Sequence, residues 1–315
     1  MAHELAGRLV IGVASSALFD LEESNAVFED KGEAAYRDYQ GVHIDETLAP
    51  GVAFPFIKRL LSLNDLADQD DPLVEVIVLS RNDPDTGLRV MRSIQAHKLP
   101  ITRAVFMQGR SPYRFMPAFS MSLFLSANEK DVKEAVDAGL AAGRILPSPA
   151  VDDDPTDDLR IAFDFDGVLA TDESETVMQT QGLQAFRDHE SANRATAHSP
   201  GLLKPLLEGI NRIQDHEEAR KLAEPAYRVR LHAALVTARN APAHERAIVS
   251  LKTWGVRVND AFFLGGLEKA DVLKILKPHI FFEDQEKNLK LAAEVVPSVH
   301  IPFGAINESP TPHSP

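Results

Sequence analysis

The sequence predicts an α/β protein made of two tandem, doubly wound (Rossmann-like) units, and three observations support this. Apolar segments of strand length alternate with stretches of helical length in both halves of the chain. The chain is similar to itself at a nearly fixed offset, which indicates two copies of one unit. Acidic residues follow apolar segments of the second half where the first half has small residues. We therefore expect a catalytically degenerate first unit and a functional second unit.

The strands of the second half are the clearest elements. Runs of apolar residues predict strands at 159–165, 231–237, 260–265, 279–283 and 298–302. Helical stretches occur in both halves, for example at 130–141 and at 243–253. Strands of this length that alternate with helices are typical of a parallel sheet.

Composition indicates where the domains begin and end. A segment rich in proline and acidic residues lies near the middle of the chain and is typical of a linker. We place the first domain, the linker and the second domain at 1–148, 149–158 and 159–302. Helical spacing at 172–230 predicts a small helical cap over a cleft of the second domain. Residues 303–315 contain three prolines and no apolar periodicity, so we expect a disordered tail.

The internal similarity extends through most of the chain. At an offset of 150 the matched pairs are Glu23-Ser24 with Glu173-Ser174, Gly32 with Gly182, and Pro50-Gly51 with Pro200-Gly201. At an offset of 157 they are Arg89 with Arg246, Ser93 with Ser250, and Gly109 with Gly266. The alternative is a shared pattern of strands and helices without duplication.

The two halves differ at chemically important positions. The alignment places Ala14, Ser16, Pro112 and Ala127 opposite Asp164, Asp166, Lys269 and Asp284. Only Ser80 keeps the character of its partner, Thr237. We expect the first unit to serve as a scaffold, as a wall of the active cleft or as a regulatory nucleotide site.

Composition and charge exclude several functional classes. The chain has 315 residues, of which 44% are hydrophobic, enough for one large or two ordinary domains. A formal net charge of −14 argues against a nucleic-acid-binding surface, because a phosphate backbone would be repelled. The absence of cysteine excludes disulfides, thiol catalysis and thiolate metal sites. No signal peptide and no apolar run of about 20 residues is seen, so we expect a cytoplasmic protein without a membrane partner.

Two carboxylates end the first strand of the second half. Asp164 and Asp166 lie two residues apart after the apolar run that begins at Leu159, so they face the same side of the strand. Open parallel sheets bind ligands beyond the carboxyl ends of their strands. Burying two unpaired carboxylates costs on the order of several kcal/mol. We therefore expect a hard cation, most simply Mg²⁺, to hold them.

Four short segments of the second half follow one another along the chain. They are Asp164-Phe165-Asp166-Gly167-Val168, the strand that ends at Thr237, Lys269 after Gly265-Gly266, and Glu283-Asp284 after an apolar run. Together, and in this order, they resemble the four motifs of the haloacid dehalogenase-like phosphohydrolases. Two segments resemble sequences of the cytosolic 5′-nucleotidase type I family, namely Leu235-Val236-Thr237-Ala238-Arg239 and residues 277–285. Segments 14–19, 50–56 and 125–127 are similar to the N-terminal region of that family, so the resemblance covers nearly the whole chain.

The resemblance implies a role for each motif residue. Asp164 is expected to be the nucleophile that forms an aspartyl-phosphate, and Asp166 the acid and then the base. Mg²⁺ is expected to bind Asp164, Asp166 through its backbone carbonyl, and Asp284. Thr237, the amide of Ala238 and Lys269 are expected to bind phosphate. Glu283 is expected either to reach the metal through water or to stabilise Lys269.

Four further residues are candidates for substrate binding. Phe186, Arg187 and His189 lie together in the predicted cap, where they are candidates to stack on a base and contact ribose or phosphate. The alternative is that Phe186 belongs to the core and the other two to the surface. Arg239 follows Thr237 closely enough to face substrate, and a salt bridge to Glu283 or Asp284 is the alternative.

These features together predict a Mg²⁺-dependent 5′-nucleotidase that hydrolyses AMP-like nucleoside monophosphates. The nucleotide, unlike the reaction type, follows from the resemblance. The rivals are a phosphatase of the same superfamily for a sugar phosphate or another small phosphomonoester, and a nucleotide-sensing protein with little turnover. The resemblance also suggests a regulatory nucleotide near Ser80 and Arg110, and it leaves a homo-oligomer open.

Overall fold

A computed structural model describes residues 5–68 and 71–307 of the chain. The chain divides into two compact units. The first comprises Met1–Pro147, Val151–Leu159 and Arg212–Leu231, and the second comprises Ser148–Ala150, Arg160–Asn211 and His232–Pro315.

The first unit contains five parallel strands. Its strands are β1 (Leu9–Val13), β2 (Val74–Ser80), β3 (Arg103–Phe106), β4 (Leu123–Ser126) and β5 (Ala142–Ile145), in the order β3-β2-β1-β4-β5. Its helices are α1 (Ser15–Leu18), α2 (Glu22–Val42), α3 (Phe54–Ser62), α4 (Pro84–Ala96) and α5 (Glu129–Asp137). Every residue of β1 and β2 is buried, as expected of parallel strands covered on both faces.

The second half of the chain repeats this arrangement. Its strands are β6 (Leu159–Phe163), β7 (Leu231–Thr237), β8 (Asp260–Phe263), β9 (Ile280–Glu283) and β10 (Ser298–His300), in the order β8-β7-β6-β9-β10. Its helices are α6 (Glu173–Ala192), α7 (Lys204–Ala223), α8 (His244–Trp254), α9 (Lys269–Leu276) and α10 (Glu286–Ala292). Both strand orders have the pattern of doubly wound nucleotide-binding folds.

Local sequence explains how several helices begin and end. Asp83 accepts a hydrogen bond from the amide of Thr86 at 2.8 Å, and Pro84 follows it as the first helical residue of α4. Asn128 caps α5 in the same way through the amide of Asp131 at 3.0 Å. Helix α8 ends at Gly255, which has a left-handed φ of 70°.

The predicted strands of the second half are all present, with shorter ends. β6 stops at Phe163 because Asp164 starts a tight turn that includes Gly167 with a φ of 71°. β8 and β10 also end two residues earlier than predicted. The apolar runs therefore located the strands, while the turn residues that follow them set the ends.

The long helices α2 and α6 share one irregularity. Gly32 interrupts α2 with φ 79° and ψ −176°, and Gly182 interrupts α6 with φ 85° and ψ 176°. Only glycine adopts this backbone conformation without strain. Each polypeptide segment is therefore two helices joined at a glycine kink.

The segment predicted as a cap, 172–230, contains two different helices. Helix α7 buries a row of apolar side chains, namely Leu206, Leu207, Ile210 and Ile213. Helix α6 buries only Ser174 and Glu190 among its residues. Helix α7 therefore contributes to the core, and a cap formed by α6 stays a prediction.

The predicted linker and tail have defined contacts. Buried Arg59 donates hydrogen bonds to both carboxylate oxygens of Asp152 and to the carbonyls of Asp154 and Asp158, over 2.8–2.9 Å. Asn307, within the predicted tail, donates to the carbonyl of Phe303 at 2.8 Å, so 303–307 is ordered. Residues 308–315 of that tail lie outside the described residues. Among the residues described, no helix is long and apolar enough to cross a membrane.

Candidate active site

The acidic residues meet where the strand order of the second half reverses. β6 and β9 are parallel neighbours, with Ile161 opposite Ile280 and Phe163 opposite Phe282. The amide of Asp164 continues this register by donating to the carbonyl of Phe282 at 2.9 Å. A crevice forms at such a reversal, beyond the carboxyl ends of the strands, so Asp164 and the residues after Phe282 face one another.

Three carboxylates form the floor of this crevice. Ligand atoms of Asp164, Glu283 and Asp284 lie within 4.8 Å of one another, and all three residues are buried. Asp164 Oδ1 and both carboxylate oxygens of Asp284 accept no hydrogen bond from the described part of the chain. Buried carboxylate oxygens are normally paired, so these three oxygens are available for a cation.

Lys269 supplies the positive charge of this centre. Its Nζ lies 2.9 Å from Asp164 Oδ2 and 2.7 Å from Glu283 Oε2. Glu283 also accepts hydrogen bonds from Asn288 Nδ2 at 3.0 Å and from the amide of Gln285 at 3.1 Å. Glu283 therefore has its lone pairs in use and holds Lys269 in place.

Burial changes the protonation of these groups. Burial raises the pKa of Asp164 to about 8; Lys269 opposes the shift, while Glu283 and Asp166 add to it. Burial also raises the pKa of Asp284 well above its usual value, with further contributions from Glu283 and Asp164. Burial would lower the pKa of Lys269, but the charges of Asp164 and Glu283 outweigh it and raise that pKa. The ammonium is therefore stable, and the three carboxylates of the centre share its single positive charge.

Gly167 allows the turn after β6 to pass close to Asp284. Its φ of 71° is left-handed, and a Cβ at this position would collide with the carboxylate of Asp284. Glycine is thus required both by the backbone conformation and by the space available.

Asp166 is held by Arg239 and not by the acidic centre. Arg239 Nε and Nη2 donate to the two oxygens of Asp166 at 2.7 and 2.6 Å. Arg239 also donates to Glu190 of α6. The hydroxyl of Thr237, at the end of β7, accepts from the amide of Arg239 at 3.3 Å and keeps its proton available to a ligand.

A cavity of about 440 Å³ opens above these groups. Asp164, Asp166, Thr237, Ala238 and Lys269 line its polar part. Helix α6 forms an opposite wall, to which Glu175, Met178, Leu183, Phe186 and Arg187 contribute. A single cavity therefore combines a charged floor with a partly apolar wall, which is typical of a site for a small molecule with a polar and an apolar end.

Comparison with known proteins gives the family. A family model described as 5′-nucleotidase matches residues 1–308. The chain belongs to the 5′-nucleotidase family. It is 30% identical over 283 residues to human cytosolic 5′-nucleotidase 1B, a match that covers 88% of this chain and 46% of the human protein. The chain therefore spans about half the length of that relative. No solved structure matches the chain.

The 5′-nucleotidase fold brings together most of the residues that the sequence selected. Asp164, Asp166, Thr237, Ala238, Arg239 and Lys269 line one cavity, and Asp284 lies beneath it. Phe186 and Arg187 line the same cavity from α6. The guanidinium of Arg239 lies 5.6 Å from the centre of the Phe186 ring, so Phe186 also packs against a charged group of the site.

Two of the contacts considered from the sequence differ in the structure. His189 does not line the cavity; its Nε2 lies 3.0 Å from Glu173 and 3.1 Å from Arg246. Arg239 pairs with Asp166 and Glu190, and not with Glu283 or Asp284. Both differences arise because side-chain partners depend on the helix register of α6, which the sequence does not show directly.

Sequence reasoning missed several residues of the site. Glu190 and His198 are buried and contact Arg239, while Leu183 and Leu267 line the cavity from opposite sides. The internal similarity of the sequence offers a signal for the first two, because the first half has Gln40 and Leu48 at the matching positions. No sequence signal distinguishes Leu183 and Leu267 from other surface leucines.

Proposed function

We propose that this protein is a Mg²⁺-dependent 5′-nucleotidase that hydrolyses nucleoside 5′-monophosphates, AMP-like ones first, to nucleoside and phosphate. One observation carries the proposal: Asp164, which pairs with Lys269 in the lining of a partly apolar cavity, lies next to Asp284, and both carboxylates have unpartnered oxygens. The family and the name of the human relative agree with this reaction. The name of that relative also supports a cytosolic location.

The acidic centre suits a hard divalent cation. If ionised, Asp164, Glu283 and Asp284 carry three negative charges against the one positive charge of Lys269. The free donors are all carboxylate oxygens, which Mg²⁺ prefers. Asp164, Asp284 and the backbone carbonyl of Asp166 would hold the ion. When bound, it would offset the charge of the phosphate group and lower the proton affinity of Asp164.

The protein residues then divide the reaction into two steps. A carboxylate oxygen of Asp164 attacks phosphorus, an O–P bond forms, and the bond between phosphorus and the ribose 5′-oxygen breaks. Asp166 gives its proton to the leaving oxygen. In the second step, water attacks the aspartyl-phosphate, Asp166 takes the proton of that water, and Asp164 is released. Lys269, Thr237 and the amide of Ala238 hold the phosphate oxygens throughout.

The shape of the cavity favours a nucleotide over a smaller phosphate ester. Leu183 is 49% exposed and Leu267 is 72% exposed, yet both line the cavity. Together with Met178 and Phe186 they give the cavity lining an apolar surface. A nucleobase would cover this surface, whereas a sugar phosphate would leave it in contact with water.

We also propose that residues 9–145 and 159–300 are tandem copies, hereafter the first and the second copy. The equal strand order and the paired kinks at Gly32 and Gly182 support this. Antiparallel bridges join Phe19 with Pro50 in the first copy and Ala170 with Pro200 in the second. The first copy lacks the carboxylates and the lysine of the centre, so we assign all turnover to the second.

The first copy keeps a cavity at the corresponding strand ends. It measures about 250 Å³ and is lined by Ser15, Ser80, Asn82 and Ser126 among others. Arg81, also in the lining, is already paired with Asp131 at 2.5 Å, and Arg110 is not part of the lining. We propose this cavity as the regulatory nucleotide site, in which hydroxyl and amide groups would bind ribose or base. Calorimetry with a non-hydrolysable nucleotide should show two sites per Asp164→Asn chain, and a single site would refute this assignment.

A substrate panel tests the main proposal. The full chain is assayed with Mg²⁺ against the common nucleoside 5′-monophosphates, glucose 6-phosphate and an aryl phosphate, and again with EDTA. We expect the highest kcat/KM for a nucleoside monophosphate and loss of turnover with EDTA. A preference for glucose 6-phosphate would favour the sugar phosphate phosphatase. Nucleotide binding without turnover would favour the sensing protein.

A further inference from the structure

The two copies share the contacts that support their fold. Arg89 Nε donates to the carbonyl of Glu46 at 3.0 Å, and Arg246 Nε donates to the carbonyl of Thr196 at 2.9 Å. These residues match at the offsets of 157 and 150. Residues that match in the sequence alignment therefore make matching hydrogen bonds in the two copies.

A buried serine makes the same two hydrogen bonds in each copy. Ser93 Oγ accepts from the amide of Leu48 at 3.0 Å and donates to the carbonyl of Arg89 at 2.9 Å. Ser250 Oγ accepts from the amide of His198 at 2.9 Å and donates to the carbonyl of Arg246 at 2.8 Å. The backbone amides at positions 48 and 198 thus make the same hydrogen bond, although the side chains at these positions differ.

Three buried residues break this equivalence, and they contact one another. The second copy has Glu190, His198 and Arg239 where the first copy has Gln40, Leu48 and Asn82. Arg239 lies between the other two. The first copy keeps the fold without these three side chains, so the fold does not require them. They change together with Asp164, Asp166, Lys269 and Asp284.

The guanidinium of Arg239 has an acceptor for each of its five N–H groups. Nε and one N–H of Nη2 bind Asp166. Nη1 binds Glu190 and the carbonyl of Ala243. The remaining N–H of Nη2 lies 3.2 Å from His198 Nε2, which accepts because arginine has no acceptor atom. Arg239 therefore has no donor left for a substrate phosphate and serves to hold Asp166.

Glu190 is itself fixed from the opposite side. Its side chain is fully buried. Ser174 Oγ donates to it at 2.6 Å, and Arg246 Nη1 donates to it at 2.9 Å. A chain of hydrogen bonds thus connects helices α6 and α8 through Glu190 and Arg239 to the carboxylate of Asp166. Charge-assisted, bidentate contacts of this kind restrict orientation strongly.

We propose that Glu190 and His198 are positioning residues, which act through Arg239 to hold Asp166 where it exchanges a proton with the leaving oxygen and with water. The proposal deepens, and rests on, the proposed 5′-nucleotidase activity. Glu190 and His198 do not touch the substrate cavity, so their effect reaches the reaction only through Arg239 and Asp166.

The first copy supplies the test substitutions. Glu190→Gln and His198→Leu each introduce the residue that the first copy has at that position, where the surrounding backbone is already compatible with it. The full chain and both variants are assayed with Mg²⁺ on AMP and on p-nitrophenyl phosphate, and the Tm of each is measured. Arg89→Lys, which disturbs the matching network of the first copy, is the control.

We expect kcat for AMP to fall on the order of 10- to 100-fold in both variants, with KM changed by less than about threefold. The loss of kcat/KM should be several-fold smaller for p-nitrophenyl phosphate than for AMP, because kcat/KM reports the first step and nitrophenolate leaves without a proton. A structural role alone would lower kcat/KM for both substrates equally. Arg89→Lys should lower Tm and leave kcat for both substrates at the wild-type value.

Three results would overturn the proposal. Both variants could retain the wild-type kcat for AMP, or both could lose the two activities equally and in proportion to Tm. Either result removes the positioning role and leaves the proposed activity in place. A wild-type chain that hydrolyses neither substrate would instead remove the proposed function and this inference together. If Glu190→Gln does not fold, His198→Leu decides among the same outcomes.

Discussion

At the scale of single residues, the properties of Asp164 depend on its surroundings more than on its type. It lies buried between Lys269 on one side and unpaired Asp284 on the other. Its raised pKa would leave it protonated, and therefore a poor nucleophile, near neutral pH. A bound cation would remove this obstacle, which explains why the carboxylates of Asp164 and Asp284 occur together.

Replacement of Asp164 by asparagine tests the nucleophile. The amide keeps the shape of the side chain but cannot form an aspartyl-phosphate, so we expect kcat to fall by roughly 10³-fold or more. The fold should remain, because a buried carboxylate without a full set of partners is removed. Steady-state kinetics and circular dichroism measure the two effects. Asp260→Asn, at an exposed position, is the control, and an Asp164→Asn chain with near wild-type turnover would exclude this nucleophile.

The metal should change the pH dependence of stability. The folded pKa of Asp164 is raised from 3.8 to about 8, and that of Asp284 is raised as well. A carboxyl with a raised folded pKa stabilises the protein below the unfolded pKa, and this contribution is lost as pH rises through the folded pKa. Without metal, Tm should therefore fall between about pH 4 and pH 8.

Mg²⁺ should restore that stability, and more so at high pH. Binding to the ionised carboxylates offsets the cost of burying them, so the rise in Tm on adding Mg²⁺ should be larger at about pH 8 than at about pH 5. Asp284→Asn should reduce both the pH dependence and the Mg²⁺ effect. Thermal melts with EDTA or Mg²⁺ measure this, and a Mg²⁺ effect that is the same at both pH values would contradict it.

At the scale of elements, the turn after β6 determines how closely the acidic groups approach. Gly167→Ala should destabilise the chain by about 1–3 kcal/mol and lower kcat, because a methyl group meets Asp284 and the φ is unfavourable for alanine. Gly139→Ala is a matched control, since Gly139 has a similar φ of 75° and open space around its Cα. Denaturant unfolding and kinetics separate the two variants; equal effects on kcat would show that the contact with Asp284 is irrelevant.

Helix α6 provides the wall that should recognise the nucleoside. Leu183→Ala removes apolar contact near the cavity mouth, and the side chain is too exposed for the fold to depend on it. A loss of about 1 kcal/mol corresponds to a roughly fivefold rise in KM for AMP. KM for ribose 5-phosphate, which lacks a base, should not change. An equal rise in KM for AMP and for ribose 5-phosphate would show that the base does not contact Leu183.

At the scale of the whole molecule, the sequence predicts the strands well and places the candidate site residues at the ends of those strands. Buried parallel strands are nearly continuous apolar runs, and Asp164, Thr237 and Asp284 directly follow such runs. Strand order alone then brings these residues to one edge of the sheet. The positions of these three residues could therefore be predicted without knowing how side chains pack.

The remaining features depend on helix register and tertiary contact. Helix α6 is largely polar, so no periodicity indicates that Glu190 faces inward while His189 lies outside the cavity. The predicted cap includes α7 because of its helical spacing, which does not show that Leu206, Leu207 and Ile210 are buried. Arg239 pairs with Asp166 and Glu190 and not with Glu283 or Asp284, the alternative to a substrate contact, because proximity in sequence to Thr237 does not define which carboxylate it meets.

The difference between Glu190, His198 and Arg239 and the matching Gln40, Leu48 and Asn82 bears on whether substitutions could give activity to the proposed first copy. Introducing Ala14→Asp, Ser16→Asp, Pro112→Lys and Ala127→Asp would place new carboxylates in an interior that has no guanidinium matching Arg239. Unpaired charges in such an interior are costly, and the pairing of Arg81 with Asp131 occupies the nearest substitute. The neutral residues at these positions would therefore oppose the creation of a second acidic centre, because its carboxylates would lack counter-charges.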